Sequence, residues 1–355
     1  MRAPSSASRV LEAQAFSGNP LVRGLGRGVT FQQVLQSPDL RLLPISERKV
    51  GTNSRGLGWL TREDLSGLGW RLDVEAGAAV VSGKDETLPI YVLGRLDDRW
   101  HVALDVSVAI GADAPPEGLP RLSDLRGASA RLRAADLATA GQAVALAQWH
   151  ASHLFCPRCG AATHSAEGGA RRQCSASAEH RLYPRTDPVV IMLVESPDGA
   201  SALLGRPRNY RMANMLTCLS GFVDQGESVE EAVAREIQEE AGLKLTKVEV
   251  LGSQPWPIGR GGSCELMLGC IAKAEVASLD VDQSEMDVVQ WVSRQDVRTA
   301  LQKATTADLV RQPEVTEETP FYVPPPFAIA HHLLKTWATK DGPWFEDSLS
   351  AKASL

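Results

Sequence analysis

The sequence lacks the features that would place it among membrane, disulfide-rich or nucleic-acid-binding chains on composition alone. Its longest uninterrupted apolar run is Val189–Val194, far short of the roughly 20 residues that span a bilayer. Basic residues number 37 against 43 acidic ones, so the net charge of −6 offers no overall positive field. Six cysteines in 355 residues are too few for a disulfide scaffold. The composition is that of an ordinary globular protein, and the chain is long enough for more than one domain.

The two ends carry only weak targeting signals. The N-terminus contains Arg2, Arg9 and several serines but no apolar core, so its composition is mildly transit-like and not secretory. The final Ala-Ser-Leu resembles a peroxisomal signal but lacks the basic residue. We expect an intracellular protein with no membrane partner; the cytoplasm is favoured, and peroxisome, mitochondrion and plastid stay open.

The pattern of apolar runs changes along the chain. From residue 15 to about 130, short apolar runs alternate with Gly, Pro and Asp, which predicts a β-rich α+β N-terminal domain. Ala134–His153 has few breakers and predicts a helix. Val189–Val194 predicts a buried strand, with Ala202–Leu204 as its hairpin partner. Strands and helices then alternate to about residue 300, as in α/β domains.

The most informative stretch is Gly221–Leu243. Ser228 and Glu231 form a capping box that begins a helix, and Gly242 is suited to end it. The spacing i, i+3, i+4 places three carboxylates on one helix face: Glu236, Glu239 and Glu240. Carboxylate oxygens suit Mg²⁺ or Mn²⁺. Taken alone, the three glutamates also fit a solvated acidic face.

The full spacing resembles the Nudix box. Gly221 is followed after five residues by Glu227, and after seven more by Arg-Glu-Ile-x-Glu-Glu-x-Gly-Leu, ending at Leu243. The stretch is similar to that of the Nudix hydrolase superfamily, whose loop–helix–loop box binds divalent cations around a diphosphate. The resemblance implies a Nudix α/β/α sandwich with a mixed sheet. It also implies catalytic roles for Arg235 and the three glutamates, and metal ligation by the Ser220 carbonyl.

A second motif follows ten residues after the box. Ser253–Pro257 reads SQPWP, which is similar to the signature of the NADH pyrophosphatase subfamily. Trp256 between two prolines is a rigid aromatic plate that could stack on a base, or a core residue in a pinned loop. Ile258 and Gly259 replace the Phe-Pro pair of the signature. By resemblance, the substrate-binding residues are Tyr183, Phe222, Gln254, Pro255, Trp256, Pro257, Ile258 and Ala330.

Three of the six cysteines cluster upstream of the box. Cys156–Gly160 reads CPRCG, a zinc-knuckle half-site. The subfamily carries a four-cysteine zinc ribbon here; Cys174 matches the third ligand, and a fourth cysteine is missing. His180 is the predicted substitute, with Glu179, His164 and loss of zinc as alternatives. The remaining thiols (Cys218, Cys264 and Cys270) are predicted to lie in the core.

Two further residues come from the subfamily pattern. One helix cannot encircle a cation cluster, so a further carboxylate is expected from another element. In the subfamily this carboxylate lies six residues before a strand tryptophan, which makes Glu285, six residues before Trp291, the predicted ligand. A solvated loop acid is the alternative role of Glu285. Tyr183 lies in a Tyr-Pro-Arg segment. In the subfamily this tyrosine joins the nucleotide site as part of a dimer, so we predict a homodimer. Packing of the ribbon is the alternative role.

These observations predict a domain order and a function. The order is a flexible or targeting segment (1–14), an N-terminal domain (15–150), a zinc ribbon (151–184), a Nudix domain (185–340) and a tail (341–355). The predicted reaction cleaves NADH or NAD⁺ into nicotinamide mononucleotide and AMP, with Mg²⁺ or Mn²⁺, and extends to NAD caps on RNA 5′ ends. Alternatives are a Nudix hydrolase for ADP-ribose or coenzyme A, and a non-catalytic nucleotide sensor.

Overall fold

The computed structural model describes residues 15–82, 86–110, 115–208, 212–304, 315–316 and 320–345. The predicted segment 1–14 and the tail beyond residue 345 lie outside these ranges. The described chain divides into two compact units. The N-terminal unit comprises Ala15–Thr186 with Trp256–Glu265, and the C-terminal unit comprises Asp187–Pro255 with the described residues from Leu266 onward. No described helix is long and apolar enough to cross a membrane.

The N-terminal unit is built mainly of strands, as its short apolar runs predict. Its first part contains α1 (Phe31–Gln36), β1 (Arg41–Ser46), β2 (Lys49–Asn53), β3 (Gly56–Leu57), α2 (Arg62–Gly67), β4 (Trp70–Asp73), β5 (Ala78–Val81), β6 (Thr87–Leu96), β7 (Arg99–Asp105), α3 (Ser107–Ile110), β8 (Arg121–Asp124) and α4 (Leu125–Ala128). The sheet order is β3-β2-β1-β7-β6-β5-β4, with β8 on β2. Strands β1 and β7 are parallel, so the sheet is mixed.

The long helix predicted before the cysteines is present as α5 (Ala134–Ser152). It buries small and apolar side chains on much of its surface, as expected of a helix inside a unit. The chain then forms a three-stranded sheet of β9 (Thr163–Ala166), β10 (Arg171–Cys174) and β11 (Arg181–Leu182), in the order β11-β10-β9. This small sheet carries the clustered cysteines.

The C-terminal unit alternates strands and helices. Its elements are β12 (Asp187–Glu195), β13 (Ser201–Pro207), β14 (Leu219–Phe222), α6 (Val229–Ala241), β15 (Leu245–Trp256), β16 (Glu265–Ala274), β17 (Met286–Ser293), α7 (Arg294–Lys303) and α8 (Ile329–Thr339). The sheet order is β15-β16-β12-β13-β17, with β14 on β12. The predicted hairpin is confirmed, because Val194 pairs with Leu203 in antiparallel register.

Helices cover both faces of this sheet. Alternate residues of a strand point to opposite faces. Accordingly, Val190 and Met192 pack in one apolar cluster with Val233 and Ile237 of α6. Ile191 belongs instead to a second cluster with residues of α7 and α8. The predicted α/β sandwich is therefore confirmed, and its two cores fix α6 on one side of the sheet.

Candidate active site and metal cluster

The acidic helix α6 begins and ends where its sequence predicts. Ser228 Oγ accepts a hydrogen bond from the Glu231 amide at 3.2 Å, and Glu231 accepts one from the Ser228 amide at 2.7 Å. Gly242 closes the helix with φ +68°, a left-handed conformation that favours glycine. Because Val233 and Ile237 are fully buried, the orientation of the helix about its axis is determined and the glutamate positions are set.

Arg235 is the hub of this site. Its Nε and Nη2 donate to the two carboxylate oxygens of Glu227 at 2.7 and 2.9 Å. Its Nη1 donates to Glu236 Oε1 at 2.8 Å and to Glu239 Oε2 at 3.0 Å. Nη2 also donates to the Phe222 carbonyl at 2.8 Å. One guanidinium thus joins the loop before α6 to two carboxylates of the helix, as the fork geometry of arginine permits.

The charges of the site shift the pKa of its carboxyls in opposite directions. Hydrogen bonds from Arg235, followed by the Asp224 amide, lower the pKa of Glu227 to about 2. Burial raises the pKa of Glu236, and the negative charges of Glu239 and Glu285 raise it further against the opposing effect of Arg235. Glu285 therefore acts electrostatically on Glu236, although it lies more than forty residues further along the chain. Glu227 is an anchor for Arg235, whereas Glu236 lies among like charges.

Position 221 must be glycine, because the Glu236 carboxylate lies too close to it for any side chain. A Cβ added at Gly221 would overlap the carboxylate atoms of Glu236. The Glu236 side chain is 13% exposed and that of Glu239 is 57% exposed, so the two carboxylates span the boundary between protein and solvent. Glu240, on the same helix, is buried.

These residues suit a hard divalent cation. The side-chain donors are carboxylate oxygens, and the pKa of Glu236, raised by burial and then by the negative charges of Glu239 and Glu285, marks a carboxylate that a cation would stabilise. Ser220, whose carbonyl is a predicted ligand, is on β14 opposite Ile191. In this structure Arg235 supplies the positive charge beside Glu236 and Glu239.

The four predicted zinc ligands form a tight cluster in the N-terminal unit. One ligand atom from each of Cys156, Cys159, Cys174 and His180 lies within 4.8 Å of all the others. The sulfurs of Cys159 and Cys174 are 3.5 Å apart, and Cys156 Sγ is 3.6 Å from His180 Nδ1. Tetrahedral zinc with ordinary bond lengths would separate such ligand atoms by about 3.6–3.8 Å. Within the described ranges neither Glu179 nor His164 joins the cluster.

The backbone around Cys156 favours its thiolate, whereas at Cys159 the Ala161 amide is outweighed by the Cys174 thiol and burial, which raise its pKa. Burial opposes ionisation of Cys156, but amide donors at Arg158 and Cys159, with the neighbouring thiols, lower its pKa to about 6. Gly160 adopts φ +73° directly after the pair, which lets the turn place its amides toward sulfur. The chemistry and the spacing of the ligands therefore fit a zinc ion.

The SQPWP segment contributes to both units. In the N-terminal unit, Trp256 meets Phe16 edge to face at 6.0 Å. Ile258 is buried, and its carbonyl accepts a hydrogen bond from Arg48 at 2.9 Å. Glu265 accepts from Ser263 Oγ at 2.8 Å and from the Arg260 amide at 3.3 Å, which closes the loop between residues 260 and 265. Pro257 is also buried, so any substrate contact by Pro257 or Ile258 stays a prediction.

The other predicted substrate residues differ in exposure. Phe222 is 47% exposed and Tyr183 is 61% exposed, and the roles of both stay predictions. Pro255 is half-buried. Ala330 is buried among apolar residues, and the Gln254 side chain is buried and bonded to backbone.

Two organising residues were absent from the predicted site. Glu227 binds Arg235 through both oxygens, and its fixed place in the box, eight residues before Arg235, was the available signal. Glu265 organises the loop after the aromatic plate, and nothing local in the sequence marks it. One core assignment was wrong: Cys264 is partly exposed, whereas Cys218 and Cys270 are buried as predicted.

The fold and the site together define a Nudix domain preceded by a zinc ribbon. The family model described as NUDIX domain matches residues 185–312, and that described as NADH pyrophosphatase zinc ribbon domain matches residues 151–183. Nudix hydrolase 19, chloroplastic, from Arabidopsis thaliana is 35% identical over 93% of this chain and 87% of that protein. The chain belongs to the Nudix hydrolase family and carries the zinc ribbon of its NADH pyrophosphatase branch.

Two human relatives have more specific names. NAD-capped RNA hydrolase NUDT12 is 39% identical over 58% of this chain, which spans 43% of that relative's length. NAD(P)H pyrophosphatase NUDT13, mitochondrial, is 36% identical over 67% of this chain and 67% of that protein.

Proposed function

We propose that this protein is a divalent-metal-dependent NAD(H) pyrophosphatase that cleaves the diphosphate of NADH or NAD⁺ into nicotinamide mononucleotide and AMP. The arrangement around Arg235 carries the proposal, because it holds two box glutamates beside Gly221 in a Nudix domain. A pure nucleotide sensor has no need for such clustered like charges. The names of NUDT12 and NUDT13 support a dinucleotide substrate, and that of NUDT12 supports NAD-capped RNA as a second one.

The proposed ligands of Mg²⁺ or Mn²⁺ are the Ser220 carbonyl, Glu236, Glu239, Glu240 and Glu285. A bound cation would neutralise charge on the diphosphate oxygens and lower the pKa of an attacking water. Arg235 orients Glu236 and Glu239 before substrate arrives, while Glu227 holds Arg235 in place. Glu285, exposed and acting electrostatically on Glu236, is the proposed acceptor of the water proton.

The proposed zinc ion is structural and is held by Cys156, Cys159, Cys174 and His180. Four protein ligands leave no open position for a reacting molecule, which distinguishes it from a catalytic site. The domain order proposed is an N-terminal domain (15–150), the ribbon (151–184) and the Nudix domain (185–340).

The exposed Tyr183 ring supports a role at a nucleotide site shared between two copies, so a homodimer is part of the proposal. Sedimentation of the purified protein tests it. The compartment stays a prediction; relatives named chloroplastic and mitochondrial support testing those organelles with a fluorescent fusion.

Product analysis separates the candidate functions. NADH, ADP-ribose and NAD-capped RNA are compared at equal metal concentration, with chromatography of the products. The expected products from NADH are reduced nicotinamide mononucleotide and AMP. Faster cleavage of ADP-ribose would assign the protein to another Nudix substrate class, and binding of all three without cleavage would assign it to the sensors.

A further inference from the structure

Gln254 is fully buried, although it stands in the segment whose resemblance implies substrate contact. Its relative exposure is 0%. Its Nε2 donates to the Phe327 carbonyl at 2.8 Å, and its Oε1 accepts from the Ile329 amide at 2.8 Å. The carboxamide thus binds a carbonyl and an amide two residues apart, as a neighbouring strand would.

The Ile329 amide is the first of helix α8. The first four amides of a helix have no partner inside the helix and need one from elsewhere. The N-cap residue Ala328 provides no side-chain hydrogen bond. Gln254 therefore supplies from β15 an acceptor for the first of these amides, whereas an N-cap serine or aspartate would serve the second or third.

The same helix start is held tightly by its other neighbours. Phe327, Ile329 and Ala330 are buried, and a Cβ added at Gly269 of β16 would lie 2.7 Å from the Ile329 side chain. His331 Nδ1 is 2.9 Å from the Pro324 carbonyl. The two hydrogen bonds of Gln254 directly join this packed turn to the end of β15.

We infer that Gln254 is a positioning residue that fixes the Phe327–Ala330 turn against the end of β15, and that it does not itself bind substrate. The inference rests on the proposed function in one respect, because Ala330 and Pro255 matter only as parts of a dinucleotide site. Two bonds of 2.8 Å at a fully buried position hold the carboxamide toward the turn and away from a ligand. Loss of the link would displace both substrate segments without touching the glutamates.

Gln254→Met tests the inference, because methionine keeps the length of the side chain and removes both hydrogen bonds. We expect amide hydrogen exchange at residues 327–333 to accelerate at least about tenfold without substrate, and KM for NADH to rise about tenfold. We expect kcat and the half-saturating Mn²⁺ concentration to change less than about twofold, since Glu236, Glu239 and Glu240 are untouched.

Gln142→Met in the N-terminal unit is the matched control. Gln142 Nε2 donates to the Leu93 carbonyl at 3.0 Å, and its Oε1 accepts from Asn19 at 2.7 Å. The control should lower the melting temperature and leave KM for NADH unchanged. If Gln254→Met does only the same, Gln254 is merely structural and the inference fails.

Gln254→Glu supplies a conservative rescue. A protonated carboxyl can donate to Phe327 and accept from Ile329, whereas a carboxylate can only accept. We therefore expect its KM defect to shrink between pH 8 and pH 6, relative to the native enzyme at each pH.

The remaining outcomes are distinct. A raised KM with unchanged exchange at 327–333 means direct substrate contact and overturns the inference. If the native enzyme does not cleave NADH, the proposed function fails; the same variants are then compared on ADP-ribose or capped RNA, and exchange still reports whether Gln254 holds α8.

Discussion

The ribbon cluster and the glutamate face of α6 are two candidate metal sites organised in opposite ways. In the cluster, the four ligand atoms lie within 4.8 Å of one another. On α6, Arg235 donates hydrogen bonds to Glu236 and Glu239 and supplies the positive charge beside them. Thiols and an imidazole approach closely at little electrostatic cost, whereas carboxylates repel unless a cation lies among them.

The difference indicates what each site contributes. A closed cluster of four protein ligands would contribute to folding when an ion binds it, because it leaves no open position for chemistry. On α6 the carboxylates are already oriented by Arg235, so we expect the fold to persist whether or not a metal is bound. Removing metal should therefore damage stability at the first site and activity at the second.

Zinc removal should give the largest effect. Structural zinc of this type contributes on the order of 10 kcal/mol of apparent binding energy, so a strong chelator or His180→Ala should lower the melting temperature by more than about 10 °C. Elemental analysis should find about one zinc per chain before treatment. Glu179→Ala, adjacent to His180 and outside the cluster, is the control and should melt like the native protein. Protein purified without zinc and equally stable would contradict the assignment.

Glu240→Gln should reduce activity and leave stability almost unchanged, the reverse of zinc removal. It keeps side-chain volume and helix propensity but removes one charge at the proposed metal site, so we expect less than about a tenth of native activity at saturating Mg²⁺. The melting temperature should stay within about 3 °C. Glu230→Gln makes the same change at an exposed position of the same helix and should keep full activity. Retained activity in Glu240→Gln would remove that residue from the metal site.

Trp256→Ala tests whether the indole of Trp256 stacks on a base of the substrate. If the indole stacks on a base, KM for NADH should rise roughly ten- to a hundredfold, the effect of about 1–3 kcal/mol of stacking. The effect on a substrate without that base should be small. Trp256 also touches Phe16, so a melting curve accompanies the kinetics. Equal loss on all substrates, together with a large drop in stability, would assign Trp256 to the core.

Mild acid should affect His150 and the Arg235–Glu227 link differently. His150 stacks on Tyr91 in the N-terminal unit, and burial, aided by the nearby charge of Arg172, lowers its pKa to about 4. Its unfolded-state pKa is about 6.5, so the unfolded chain takes up the proton first. Stability is then present above about pH 6.5 and is lost as pH falls toward 4. For Glu227, with a pKa lowered to about 2, the loss begins as pH falls through the ordinary carboxyl pKa of about 4.3 and is complete only near pH 2.

Between pH 7 and pH 5 we therefore expect the N-terminal unit to lose about 1–2 kcal/mol, measured by melting at each pH. His150→Gln should flatten this slope, whereas His164→Gln, an exposed histidine, should not. An unchanged slope in His150→Gln would assign the acid sensitivity to another group. The Arg235–Glu227 link should persist through this range.

Much of the α6 site could be predicted from the sequence because its signals are local. A helix repeats every 3.6 residues, so Glu236, Glu239 and Glu240 must share a face wherever the helix lies. Ser228 and Gly242 bound the helix through hydrogen bonds and dihedrals of nearby residues. The hairpin of β12 and β13 followed likewise from alternation and a turn.

Only the tertiary structure decided which distant groups meet. His180, rather than Glu179 or His164, joins the three cysteines because the pairing of β10 with β11 returns the chain beside Cys174. Gln254 binds the start of α8 across more than seventy residues, where the sequence pattern implied a substrate contact. Local periodicity determines which side chains share a helix or strand, because backbone geometry is constant. Partners in separate elements depend on how the apolar faces pack, which no short window of sequence contains.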